Sequence, residues 1–291
     1  MQNESFFFGL HSLQLPEPQI ELGKGILIRE TYASIFAPFM VAFAPPESPG
    51  THRPGPWSAA SGGVSYDISA ELVIPLEKDG EPATALQTAR VILFLLRLGV
   101  NPAITLPVFS NMSFSKENAG AKNQTLHPFE VQGRSFPIAV CDNTAGSEAL
   151  EWVCNHWETT KKLVDSSSEF ALASVSIDQG QFIQNTALTL VSLWGALEAL
   201  FSPSSAELRF RVSALIASFL EPPGTDRKER QKKIAKLYDE RSKAAHGRPK
   251  HSQQHLLDTF NLLREVLFKI IEQGSVLTSD QLDSILFGAG E

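Results

Sequence analysis

The stretch IQNTALTLVSLWGALEALF, Ile183 to Phe201, decides how the second half of the chain folds. Ile183, Ala187, Leu190, Val191, Trp194, Leu197 and Phe201 recur three and four residues apart, the apolar stripe of a helix buried on a broad face. Pro203 breaks it. Glu198 falls on the stripe, four residues after Trp194, and a carboxylate at a core-facing position needs a partner. That partner is either Arg241, with Glu198 orienting it or a dimer interface, or a structural cation such as Arg211.

The same grammar extends in both directions. Downstream, Ser205 can cap a helix with the stripe Leu208, Val212, Leu215, Ile216 and Phe219, ended by Pro222, Pro223 and Gly224. Asp226 and Glu229 open the next helix in a pattern similar to a capping box. It buries Ile234, Leu237 and Tyr238 and is stopped by Gly247 and Pro249. A long helix over 252–272 turns Leu256, Phe260, Leu263, Leu267 and Ile270 inward, and a short one over 279–287 follows. Upstream, Ser147 can cap a helix through Leu150, Cys154 and Trp157, and a shorter helix covers 168–177. Helices joined by short Pro/Gly/Ser loops predict an all-α antiparallel bundle over 146–291.

Residues 1–145 read differently. Val64, Tyr66, Ile68, Ala70 and Leu72 alternate with polar residues, the period of a half-buried strand. Short apolar runs at 25–29, 39–43, 106–109 and 136–141 have strand length, while 44–57 and 111–125 read as loops. Leu86, Ala89, Leu93 and Leu96 form a helix after Pro82, stopped by Gly99 and Pro102. The expectation is a mixed α/β domain over 1–145 followed by the bundle, α+β overall.

Composition narrows the function classes. No run approaches the length of a membrane span, since the best, 91–98, is short and contains Arg97. Residues 1–10 show neither a basic start nor an apolar core, so no secretory signal is expected and a cytoplasmic protein is. Cys141 and Cys154 are too few for a disulfide framework. The net charge of −7 hides an asymmetry: residues 226–250 hold ten Lys/Arg and four Asp/Glu, a local +6 against −13 elsewhere. A basic surface of this kind suits a polyanion, although a solvated helix face has the same composition.

Inside that basic segment stands Tyr238-Asp-Glu-Arg241-Ser242-Lys-Ala-Ala-His246-Gly247. Together with Leu193-Trp-Gly-Ala-Leu-Glu198-Ala-Leu-Phe201 and the helix between the two blocks, it resembles the HEPN superfamily, more narrowly its ApeA-like branch. The resemblance covers roughly residues 151–271. It implies an up-and-down helical bundle that dimerises, and an endoribonuclease site built from the Arg and His of both protomers. Toxins and antiphage defence effectors are the setting it implies, with tRNA, mRNA or rRNA as substrate. It also implies that residues 1–145 sense a trigger, bind a regulatory partner or act as a scaffold.

The side chains suit that chemistry. His246 can act as base or acid near neutrality, and Arg241 can hold a non-bridging phosphate oxygen while keeping its charge. Ser242 is a candidate phosphate hydrogen-bond partner, with Glu198 and Tyr238 in support. Lys232, Lys233, Lys236, Lys243, Arg248 and Lys250 are the candidate RNA-binding cations. This division of labour calls for no metal and no cofactor. On a straight helix, Arg241 and His246 stand about 140° apart, so the helix opens before Gly247 or a second protomer completes the site. The alternative is a non-catalytic RNA-binding or dimerisation module, with Arg241 paired to Asp239 or Glu240 and His246 as a helix C-cap.

Other motifs carry less. Cys154 and His156 lack a second ligand pair, and His251 and His255 lack a third ligand and read as a solvated helix start. Gly23-Lys24-Gly25 is not a phosphate-binding loop, and no Gly-x-Ser-x-Gly elbow occurs. Trp152, Trp157 and Trp194 read as core.

Overall fold

The computed structural model describes residues 5–37, 40–43, 48, 56–60, 64–76, 81–118, 120–134, 145–201, 208–245 and 253–288. For 37, 40–43, 56–60, 64 and 242–245 the backbone alone is described. The protein is α+β. It divides into two compact units. One comprises Met1–Leu96, Ala103–Gly133 and Val140–Cys154; the other comprises Arg97–Pro102, Arg134–Ala139 and Asn155–Glu291. Among the described residues no helix is long and apolar enough to cross a membrane.

The first unit is built on a six-stranded sheet. Its strands are β1 (Ser5–His11), β2 (Gln19–Gly23), β3 (Ile26–Ala37), β6 (Val64–Pro75), β7 (Thr105–Ser110) and β8 (Leu126–Pro128). Their order is β2-β3-β6-β1-β7-β8, and every pairing is antiparallel. A separate two-stranded sheet joins β4 (Met40–Phe43) to β5 (Pro56–Ala60). Helix α1 (Pro82–Gly99) begins at the expected proline, and Val91 to Leu98 are buried without exception. The β2–β3 hairpin turns at Gly23-Lys24-Gly25, all three at positive φ, which explains the two glycines.

Strands β3, β4, β6 and β7 stand where the apolar runs place them. β1, β2, β5 and β8 were not expected. In β1 the run Phe6-Phe7-Phe8 masks any alternation, and β2 and β8 are short edges. Pro56 and Trp57, expected in a loop, open β5. Of the expected 44–57 loop, 44–47 and 49–55 lie outside the described residues, as does the expected strand at 136–141.

The alternation in β6 does not stay on one face. Both neighbours shift register opposite Ser69: Leu10 pairs Ala70 while His11 pairs Ile68, and Glu30 pairs Ala70 while Ala33 pairs Ile68. Leu72 is thereby paired with Phe8, whereas Tyr66 and Ile68 pack with Phe7, Val108 and Phe114 in a separate cluster. A bulge of this kind reverses which side chains face which way, so one alternating run serves both faces.

The second unit is helical, and takes in α2 (Ser147–Ser166) from Asn155 onward. α2, α3 (Ser168–Gly180), α4 (Thr186–Phe201), α5 (Leu208–Leu220), α6 (Thr225–Ala245), α7 (Gln253–Gln273) and α8 (Ser279–Phe287) match the periodic segments, except that α4 starts at Thr186 and leaves Ile183, expected on its stripe, outside the helix. The Ser205 cap lies outside the described residues. α4 is central and packs against α3, α5, α6 and α7. Leu190, Leu193, Trp194, Leu197 and Phe201 are buried accordingly. α5 and α6 run antiparallel, since Arg209 meets Asp239 and Gln231 meets Ser213. α6 and α7 do likewise, with Arg230 on Glu265 and Leu237 on His255.

Candidate functional site

Two helix faces make the site. Trp194 and Glu198 are four residues apart on α4, and Tyr238 and Arg241 are three apart on α6, so each pair shares one face. α4 and α6 pack together, and the two pairs interlock. The Trp194 and Tyr238 rings meet edge-on, 5.1 Å between centroids at 84°. The Tyr238 hydroxyl donates to Glu198 Oε1 at 2.8 Å. Arg241 Nη2 lies 3.3 Å from Glu198 Oε1 and 3.4 Å from Oε2. Its guanidinium sits over the Tyr238 ring, 5.5 Å from the centroid.

Burial sets the electrostatics. Trp194 is fully buried, Tyr238 is 8% exposed, and the Glu198 and Arg241 side chains are each 21% exposed. Burial first, and then the adjacent Glu198 carboxylate, push the Tyr238 phenol up to about 12, with Arg241 pulling the other way. Tyr238 is therefore a neutral donor at any ordinary pH. Arg241 Nε is buried and has no hydrogen-bond partner among the described residues, and neither has Trp194 Nε1.

Of the residues singled out in the sequence, Glu198, Tyr238 and Arg241 come together. Glu198 takes Arg241 and Tyr238 as partners. Asp239 is held by Arg209 through two bonds of 2.6 and 2.7 Å. Lys232, Lys233 and Lys236 are exposed on α6. Ser242 and Lys243 belong to α6, but their side chains lie outside what is described. His246, Arg248 and Lys250 lie outside the described residues altogether. The helix is continuous from Arg241 to Ala245.

One feature escaped the sequence. His255 is 3% exposed, not a solvated helix start. Its Nε2 lies 3.1 Å from the Leu237 carbonyl, so that nitrogen carries a proton, and Nδ1 lies 3.9 Å from Glu240 Oε2. Its spacing from Thr259 and Leu262, four and seven residues on and both buried, was the available signal. His255 floors an open groove of about 550 Å³ between α6 and α7, with Lys233 and Lys236 on one wall and Asp258 and Asn261 on the other. Among the described residues no three His, Cys, Asp or Glu side chains cluster as metal ligands do.

Comparison with protein-family models, with curated proteins and with solved structures found no match to this chain.

Proposed function

We propose that the protein is a metal-independent endoribonuclease of HEPN type, with its helical unit forming the HEPN-like bundle and acting as a homodimer. Arg241 binds a non-bridging oxygen of the scissile phosphate, and His246 moves the proton of the attacking ribose 2′-hydroxyl. Each protomer contributes these residues to a composite site. The exposed Lys232, Lys233 and Lys236 hold the flanking phosphates. The protein works in the cytoplasm as a toxin or antiphage effector on tRNA, mRNA or rRNA, and residues 1–145 sense the trigger or restrain the nuclease.

The observation that carries the reading is the Glu198–Tyr238–Arg241 cluster. It supports a role for Arg241 beyond packing: the guanidinium is oriented by a carboxylate and an aromatic face, remains partly exposed, and lies on the helix that bears the basic patch. The test is incubation of the full chain with total RNA in EDTA. Fragments with 2′,3′-cyclic phosphate ends are expected, and both Arg241→Ala and His246→Ala should abolish them. Full activity in both variants overturns the assignment.

The partial neutralisation of Arg241 by Glu198 favours a second reading, a non-catalytic RNA-binding or dimerisation module. RNA binding without cleavage under any trigger selects it.

A further inference from the structure

Arg241 is loosely held among the described residues. Its contacts to Glu198, at 3.3 and 3.4 Å, are longer than the roughly 2.7–2.9 Å of a well-formed charge-assisted bond. Its Nε–H is buried without an acceptor among the described residues. Glu198, by contrast, is held at 2.8 Å by Tyr238. The carboxylate thus belongs more to the phenol than to the guanidinium, and the Arg241 side chain, 21% exposed, is loosely held.

We propose that Tyr238 is a positioning residue that holds Glu198 so that Arg241 can exchange the carboxylate for a phosphate oxyanion, a role that rests on RNA being the ligand of this face. An arginine that leaves a carboxylate 21% exposed strands a charge, and a stranded charge is costly. Tyr238 lowers that cost by keeping its hydrogen bond to Glu198 through the exchange. Its ring also gives the guanidinium a surface to rest on in both positions. Trp194, fully buried and edge-on to the ring, keeps the phenol from following the arginine. The raised phenol pKa ensures that the donor is protonated whenever the exchange occurs. Without the hydroxyl, Glu198 is free to close onto Arg241 through both oxygens and to engage the Nε–H, and the oxyanion must then displace a full ion pair.

The test uses the full chain and two probes. The first is a 2′-O-methyl RNA oligonucleotide, which lacks the nucleophile and cannot be cut. Tyr238→Phe should weaken its binding about tenfold, the worth of one hydrogen bond to a charged group. Glu198→Gln should tighten binding, because the carboxylate that competes for Arg241 loses its charge. In the Glu198→Gln background, Tyr238→Phe should change affinity by less than about twofold, because no carboxylate charge is left to hold. A role in packing alone would instead give the same loss in both backgrounds, and that result overturns the proposal. So does unchanged binding by Tyr238→Phe in the otherwise native chain. Matching circular dichroism spectra, with unfolding transitions that stay cooperative, establish that the variants are folded.

The second probe is inorganic phosphate, titrated while the Arg241 Nε–H nuclear magnetic resonance signal is followed. The signal should move with phosphate, and Tyr238→Phe should need about tenfold more. If phosphate moves the signal with this dependence but the oligonucleotide does not bind, the RNA reading falls and the role of Tyr238 stands. If phosphate leaves the signal unmoved, the role of Tyr238 falls, whether or not the chain cuts RNA.

Discussion

Tyr238 and Glu198 are 40 residues apart in the chain, yet the phenol hydroxyl of one lies 2.8 Å from the carboxylate of the other. This bond ties α6 to α4 and holds the carboxylate that faces Arg241. Burial first, and this bond second, set how readily the phenol ionises. With its pKa raised from 10 to about 12, the protonated form is favoured in the fold. The contribution to stability is fully present below pH 10 and is lost as the pH rises through about 12. A difference titration of phenolate absorbance, native chain minus Tyr238→Phe, should show one phenol ionising near 12. Ionisation near 10 would contradict the geometry.

Removing Glu198 should hurt more than neutralising it. Glu198→Ala leaves the Tyr238 hydroxyl and Arg241 without their shared acceptor, at a cost of about 1–3 kcal/mol. Glu198→Gln keeps an acceptor for the phenol and should lose less than half as much. Urea unfolding of the two variants decides the order.

His255 should behave as a core residue. His255→Ala removes the bond to the Leu237 carbonyl and leaves a void between α6 and α7, costing about 2 kcal/mol or more. An unchanged melting temperature would refute its burial.

In the first unit, Glu71 is 1% exposed and accepts bonds from Arg29 Nε at 2.7 Å, Ser113 Oγ at 2.8 Å and the Phe114 amide at 2.9 Å. Glu71→Ala strips three donors of their acceptor and should cost about 3–5 kcal/mol. Hydrogen exchange at the Phe114 amide should accelerate first.

Gly9 has a steric reason to be glycine. A Cβ there would sit 3.1–3.2 Å from three carbons of Ile68. Gly9→Ala should destabilise by about 1–3 kcal/mol, and Ile68→Val should recover part of the loss. Additive effects in the double variant would show that the two side chains do not meet.

The helices were readable because their signal is local: a stripe such as Ala187 to Phe201 repeats within a few turns and ends near a proline. β6 was readable for the same reason. β1, β2, β5 and β8 were not, since a short strand is defined by a neighbour that can be far along the chain; Phe8 finds its partner at Leu72. The phase reversal at Ser69 was equally hidden, because a bulge is a property of the pairing and not of one strand.

The sequence by itself determined which residues carry chemistry-bearing groups: Arg241 and Tyr238 on one helix, Glu198 on another, a basic segment around them. Only the tertiary structure decided how they are shared. That Glu198 serves Tyr238 at 2.8 Å and Arg241 at 3.3 Å, and that His255 is buried against Leu237, follow from how α4, α6 and α7 pack. Helical periodicity orients a side chain about its own axis, but it contains no information about which other axis lies opposite.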